Sequence, residues 1–598
     1  MHLCLARFVK TFEMMPEPGA KQVLPKTRGL LVPSAPINLL LPLPQRLPLT
    51  VPRTGLRSSQ AALCSRGAVS RSASSSSVAD ATARRGADDG KLAGKLDSPT
   101  GQQPRSVKEL PGVGMLSSLY WLVIRGYLSE FHELQIIHHK RFGNMWTTYM
   151  GPELFVCLAD PDLIEQLMRQ EGPYPVRSSI PAWDDYHMMR GHSKGLLTQT
   201  GADWKRMREV LNQRMLKPRE VMQFADPLNA VVTELMGHVR ARRGHGAAAA
   251  VFPLPDVAQL FYRFAFEGVT TVLFETRMGS LEETVPKETQ DFIRAIESML
   301  STTMYVTALP RWTRPLLPFW GRFVQAWDVI INTATRLINV KLAEVKDCIS
   351  RGQEVRGEYL TYLLASGRLS LPEIYSNTTE VLLAGVDTTS NTLSWSLYHL
   401  ARMPALQEAL CREVNAVVPG DAVPGIDEVA RMPLLKAVIK ETLRLYPVVF
   451  QNARYIMDDG VVVGGYSLPK GTRLSLCHYV LSMDGEIFPN PREFRPQRWL
   501  RGKDRAAWRH GSGGEEEEEA AAAATSERTH PFAYIPFGFG LRGCVGRRIA
   551  ELEMHLCLAR FVKTFEMMPE PGAEQVLPKT QAVLVPSAPI NLLLRERL

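Results

Sequence analysis

The stretch Pro536-Phe537-Gly538-Phe539-Gly540-Leu541-Arg542-Gly543-Cys544-Val545-Gly546-Arg547-Arg548 places one cysteine in a loop with a glycine every two or three residues. Glycines at 538, 540, 543 and 546 permit a tight loop and close approach of backbone to a flat ligand. Helical periodicity begins at once, over Gly546 to Val562, so Cys544 sits just before a helix N-terminus. Exposed N–H groups and the helix dipole there favour a thiolate over a thiol. Arg542 adds a positive charge able to meet a carboxylate, and Phe537 an aromatic neighbour. Such a set suits a cysteine ligand to heme iron. A lone cysteine read by itself is a small buried hydrophobe.

Three segments upstream add charge and hydroxyl chemistry. Glu441-Thr442-Leu443-Arg444 sets glutamate and arginine three apart on one helix face, and Phe494-Arg495-Pro496-Gln497-Arg498-Trp499 follows. Ala384-Gly385-Val386-Asp387-Thr388-Thr389 lies inside a long helical pattern, roughly Leu371 to Met403. Its small residues thin one wall, and Thr388 can bond a carbonyl of the preceding turn. Trp204-Lys205-Arg206-Met207-Arg208 puts Trp204 and Arg208 one turn apart. Read alone, these are an ordinary ion pair, a self-satisfied threonine and a solvated basic face.

Together they carry a resemblance. Phe537 to Gly546 resembles the heme-binding signature of the cytochrome P-450 superfamily with every signature position filled, and the other segments match in order. The resemblance covers about Ser106 to the C-terminus. It implies heme b on the Cys544 thiolate, with Phe537 and Arg542 in the binding loop. It implies a buried network of Glu441, Arg444 and Arg498 behind that loop, where loss of one charged partner is severe. Thr388 and Asp387 would deliver protons during oxygen activation. Trp204, Arg208 and Arg454 would serve the heme propionates. The fold expected is mainly α with small β-sheets. Gly143 to Leu158 reads as two strands around Gly151-Pro152, and Val461 to Val480 as β with turns at Gly464-Gly465 and Lys470-Gly471.

A monooxygenase takes its electrons one at a time. Lys436 and Lys440 lie four apart on the Glu441 helix, and Arg547 and Arg548 follow Cys544. Charges in this pattern are commonly a solvated face. Pro433 to Lys440 nevertheless resembles the helix on which mitochondrial members dock an acidic ferredoxin, itself reduced by an NADPH-dependent reductase. Within that group, Met168 to Arg177, Leu382 to Leu400 and Lys440 to Val449 resemble the sterol 26-hydroxylase branch. That implies a sterol-like lipid hydroxylated at its side-chain terminus, as in bile-acid synthesis, with vitamin D and retinoid hydroxylation as the alternative. Phe450 stands where proline is usual, in a loop that lines the substrate pocket in the family. Rivals of another class are a peroxide-using heme-thiolate isomerase and a non-enzymatic heme sensor. Asp387-Thr388 and the lysine pair argue against the isomerase, and the intact Asp387-Thr388 relay against the sensor.

The rest of the chain bounds these readings. Of 598 residues, 45% are apolar and 22% charged, enough for a large core. The net charge of +9 suits acidic partners, but no helix-turn-helix or zinc-ligand pattern supports nucleic acid. Eight scattered cysteines without a CxxC pair argue against a disulfide framework and fit a reducing compartment. The nearest candidate for a membrane span, Met115 to Phe131, is broken by Arg125, so membrane contact is expected to be peripheral. Met304 to Phe323, aromatic and cationic, reads equally as a surface for lipid or as two core helices and a loop. Met1 to Leu41 repeats Met554 to Leu594 with four differences, and is expected to be a non-functional duplicate. Residues 42–105 hold an arginine-rich, serine-rich, acid-poor stretch expected to be a mitochondrial presequence, then a polar linker. This points to the matrix side of the inner membrane. Residues 106–598 form the heme domain, with Gly511 to Thr525 a low-complexity surface insertion.

Overall fold

A computed structural model describes residues 103–178, 180–243, 251–352, 357, 359–505 and 530–597. The N-terminal duplicate, nearly all of the presequence-like segment and the acidic insertion lie outside them. The principal helices are α1 (Gly201–Met215), α2 (Ala225–Ala241), α3 (Val257–Phe274), α4 (Lys287–Ala308), α5 (Pro318–Ser350), α6 (Leu371–Arg402), α7 (Pro404–Val417), α8 (Pro433–Leu445) and α9 (Arg547–Thr564). The strands are β1 (Arg105–Ser106), β2 (Met145–Met150), β3 (Glu153–Leu158), β4 (Phe252–Leu254), β5 (Asn452–Tyr455), β6 (Val461–Val463), β7 (Tyr466–Leu468), β8 (Arg473–Leu476), β9 (Phe565–Pro569), β10 (Pro578–Thr580), β11 (Leu584–Pro586) and β12 (Leu592–Glu596). The architecture is mainly α with small sheets, ordered β2-β3-β8-β5, β1-β7-β6, β4-β12-β9 and β10-β11.

Helix α6 shows how a polar sequence crosses a core. Ser370 caps it, with Glu373 bonding back to the Ser370 N–H. Its buried hydroxyls donate to carbonyls one turn back: Thr379 to Tyr375, Thr392 to Thr388, Ser394 to Ser390 and Ser396 to Thr392. Gly385 lets α3 pack close, since a Cβ there would lie 2.8 Å from Val269 Cγ2. Pro404 opens α7 directly after Met403, and Pro433 opens α8 in the same way.

Two sequence expectations change. The run Val461 to Val480 is not β throughout: after β6, β7 and β8 the chain bends into a short helix, His478–Ser482, whose residues are all buried. Its apolar alternation served a helix turn in the core. Met304 to Phe323 forms the end of α4, a 3₁₀ turn at Arg311–Thr313 and the start of α5. Phe323 is buried in the helical core and Phe319 stacks on Tyr305, whereas Trp312 and Leu316 are exposed. The helix-pair reading and the exposed aromatic tip therefore coexist.

Candidate active site

The cavity that matters lies between α1, α3, α6, the Val448–Asn452 segment and the loop entering α9. Cys544 lines it together with Thr388 of α6, Trp204 and Arg208 of α1, and Phe537 and Arg542 of the loop. Gly538 and Gly540 take φ of +70° and +68°, which a side chain would strain. The loop closes through the Cys544 N–H donating to Phe537 O at 2.8 Å. Of the described cysteines, only Cys544 is on the cavity.

Accessibility and depth diverge at Cys544. Its surface is open, yet protein atoms crowd around it, because the open face looks into the cavity. Burial pushes the thiol up. The Gly546 N–H and the Arg208, Arg177 and Arg547 charges oppose that without reversing it. The helix N-terminus and these charges therefore do not by themselves offset the burial.

One end of the cavity is crowded with guanidinium groups. Arg542 donates to Pro175 O at 2.8 Å and Gln199 O at 2.9 Å, and lies 3.8 Å over the Trp204 ring. Its bonds go to backbone carbonyls and aromatic face rather than to a carboxylate, and burial lowers it to about 9. Arg177 is lowered to about 10, first by burial and then by Arg454. The Nε atoms of Arg177 and Arg208 are buried without a protein partner. Arg454 instead donates to Glu171 at 2.5 Å and faces a neighbouring cavity. Glu380 answers Arg177 electrostatically. Four guanidiniums face only two carboxyl groups, Glu171 and Glu380, so positive charge is in excess. Buried charge of that kind is costly without a counter-ion, and a flat macrocycle with two carboxylate arms fits the deficit.

Asp387 does not line the cavity. Its Oδ1 accepts from the Tyr262 hydroxyl of α3, with Asn391 Nδ2 at 3.4 Å. Thr388 does line it, and donates to Ala384 O at 2.8 Å. Glu441 and Arg444 are both fully buried, joined by Arg498 Nε at 3.0 Å, the Arg495 N–H at 2.9 Å and Trp499 Nε1 at 2.8 Å. Phe450 is not on the cavity: it packs edge-on against Phe131, while Val448 and Val449 face inward. Lys436 Nζ donates to Ala430 O at 2.7 Å, and Lys440 lies over the Trp499 ring. Arg501, Arg547 and Lys436 all act on Lys440, a cationic cluster that Glu551 partly offsets. Arg547 also bonds Glu551, and Arg548 is exposed.

Sequence reading missed Arg177, Glu380, Trp499 and Arg501. Glu380 was legible: 380, 384 and 388 fall on one helix face. Burial raises its carboxyl to about 7, against bonds from Leu197 N–H and the Thr198 hydroxyl. Arg177 sits in an irregular segment with no periodicity to mark it.

The sequence matches the Cytochrome P450 family over residues 112–594. The chain belongs to that family. It is 45% identical over 492 residues to a mitochondrial sterol 26-hydroxylase from Oryctolagus cuniculus, covering 82% of this chain and 88% of that protein. The Homo sapiens protein of the same name is 41% identical over 500 residues, covering 83% and 90%. The mitochondrial 25-hydroxyvitamin D-1 alpha hydroxylase of Homo sapiens is 42% identical over 500 residues, covering 82% and 93%. The protein is a cytochrome P450 monooxygenase with a heme-thiolate cofactor. No described helix is long and apolar enough to cross a membrane.

Proposed function

We propose that this P450 hydroxylates the side-chain terminus of a sterol, at the 26/27 position, with electrons from NADPH passed through ferredoxin reductase and ferredoxin. The observation that carries the reading is the 45% identity to a sterol 26-hydroxylase over 88% of that protein's length. The cavity supports it: Thr388 and Cys544 share a space that Val269, Leu273, Leu443, Val448 and Val449 also line. Cys544 is the iron ligand in this reading, and Arg177, Arg208 and Trp204 hold the propionate end. When bound, the heme activates dioxygen for insertion into a C–H bond, and the thiolate favours O–O cleavage. The protein's part is to exclude water with apolar walls and to move protons by way of Asp387 and Thr388. Ferredoxin would meet the cluster of Lys436, Lys440, Arg501, Arg547 and Arg548.

Peripheral attachment to the matrix side of the inner membrane completes the reading. Met115, Leu116, Leu119, Val123 and Ile124 are exposed on one segment, and Trp312 and Leu316 on another. The β2–β3 hairpin touches both: the Tyr149 N–H donates to Ser118 Oγ, and Gly151 abuts Thr307 O. Apolar tips held by one hairpin suit shallow insertion into a bilayer. Vesicle flotation checks this, with Leu116→Glu and Trp312→Glu together expected to release the protein.

The deciding experiment gives purified enzyme NADPH, ferredoxin reductase and ferredoxin with cholesterol, bile-acid intermediates, vitamin D and retinol. Side-chain terminal hydroxylation of the sterols is expected. Turnover confined to vitamin D or retinol moves the assignment to that alternative, which the 42% identity to a vitamin D hydroxylase favours. Product formed without NADPH removes the monooxygenase route.

A further inference from the structure

Asp387 faces away from the cavity that it is read as serving. Its Oδ1 is held by the Tyr262 hydroxyl from α3, which also accepts from Asn391 Nδ2 at 3.2 Å. Its Oδ2 is buried and meets no protein partner. Tyr262 is itself buried, so the hydroxyl has little water to fall back on. From α4, the Glu297 carboxylate acts electrostatically on both Tyr262 and Asp387, and Glu297 is exposed. On α6 itself, Asn391 supplies the remaining polar contact. A buried phenol and a buried acid thus meet across α3 and α6, one residue short of Thr388, with the charge of an exposed acid on α4 acting on both.

We propose that Tyr262 is a positioning residue for proton delivery, clamping Asp387 Oδ1 so that Oδ2 is the oxygen left to take a proton, with Glu297 acting on the pair by its charge alone. The inference rests on the reading that Asp387 and Thr388 supply protons during turnover. The two residues act in opposite senses. A phenol donating to the carboxylate stabilises the charged form, and a second carboxylate nearby stabilises the neutral form. Burial is the largest influence and raises Asp387 to about 6. The Tyr262 bond lowers it and Glu297 raises it. Asp387 is thereby kept near the pH at which it can both take and give a proton. The balance is simple: an O–H bond forms at Oδ2 as solvent gives up a proton, and breaks as the proton leaves by way of the Thr388 hydroxyl.

Infrared difference titration of the holoenzyme, with the Asp387 carboxyl band assigned through Asp387→Asn, reads this directly. Tyr262→Phe should move the Asp387 titration to higher pH and Glu297→Gln to lower pH. The pH profile of product formed per NADPH should shift in the same two directions, and turnover in Tyr262→Phe should fall about tenfold. A merely structural tyrosine moves stability but not the titration. Unmoved titration in both variants overturns the inference, as does a shift of the same sign in both. If Asp387→Asn lowers turnover while the other two behave as wild type, the Asp387 reading stands and the inference falls. If Asp387→Asn and Thr388→Ala both leave turnover and its solvent isotope effect unchanged, the reading falls and takes the inference with it.

Discussion

Arg444 donates from Nε and Nη2 to both oxygens of Glu441, at 3.0 and 2.8 Å, and neither side chain reaches solvent. Its Nη1 goes on to Ser482 O and Pro491 O, both at 2.7 Å, so one guanidinium ties α8 to the two segments that follow β8. Glu441 in turn collects Arg498, the Arg495 N–H and Trp499. Removing either member leaves a buried charge alone, which costs about 3–5 kcal/mol. Glu441→Ala is expected to lose that much in denaturant unfolding and to yield little thiolate-ligated heme in the reduced-CO spectrum. Arg444→Lys should be nearly as harmful, because an ammonium cannot reproduce the forked contact.

The excess of guanidinium charge, with two Nε atoms left unpartnered, gives a second expectation. A hydrogen bond to a charged group contributes about 1.5–3 kcal/mol. Arg177→Gln and Arg208→Gln should therefore each speed heme loss about tenfold or more, measured as hemin transfer to an acceptor apoprotein. Arg454→Gln should do less, since Arg454 is already spent on Glu171.

Glu380 makes stability depend on pH. Its folded-state pKa of about 7 lies above the ordinary 4.5, so the native state holds a proton that the unfolded chain releases between these values. The contribution is fully present below pH 4.5 and lost as pH rises through 7. At full effect it amounts to roughly 3 kcal/mol. Thermal melts of Glu380→Gln should show a flatter dependence over that window than wild type.

Charge around Lys440 predicts the salt response of electron delivery. Lys440→Gln should raise the KM for ferredoxin several-fold and reduce its sensitivity to ionic strength. Lys436→Gln should act more weakly, because the Lys436 ammonium is held by Ala430 O. A change in kcat with sterol affinity altered as well would place these lysines elsewhere.

The loop at Phe537–Gly546 was legible because its aromatic, glycines, arginine and cysteine stand at the spacing of the heme-binding signature of the P450 family. Long helices such as α6 were legible because their bounds carry Ser370 and Pro404 as chemical stops. Tyr262 was not, since a tyrosine in the apolar run of α3 reads as core until Asp387 is seen beside it. The four-guanidinium end was only half legible: Arg208 lies in a periodic helix, whereas Arg177 meets it by tertiary folding alone. His478–Ser482 misled because a buried helix turn of five residues has no period to distinguish it from a strand.

Strand β12 sits between two neighbours, with Leu594 opposite Phe252 of β4 and Met567 of β9. The N-terminal duplicate carries the same Ile-Asn-Leu-Leu-Leu in sequence at Ile37 to Leu41. The two copies part at the next residue. Arg595 pairs with Glu566 and donates to its carboxylate, and the Arg597 N–H reaches Thr564 O at 2.8 Å. The earlier copy has Pro42 and Pro44 at those places, neither with an N–H to give. The sequence that follows the repeat therefore lacks the N–H that the chain uses at Arg597 to reach Thr564.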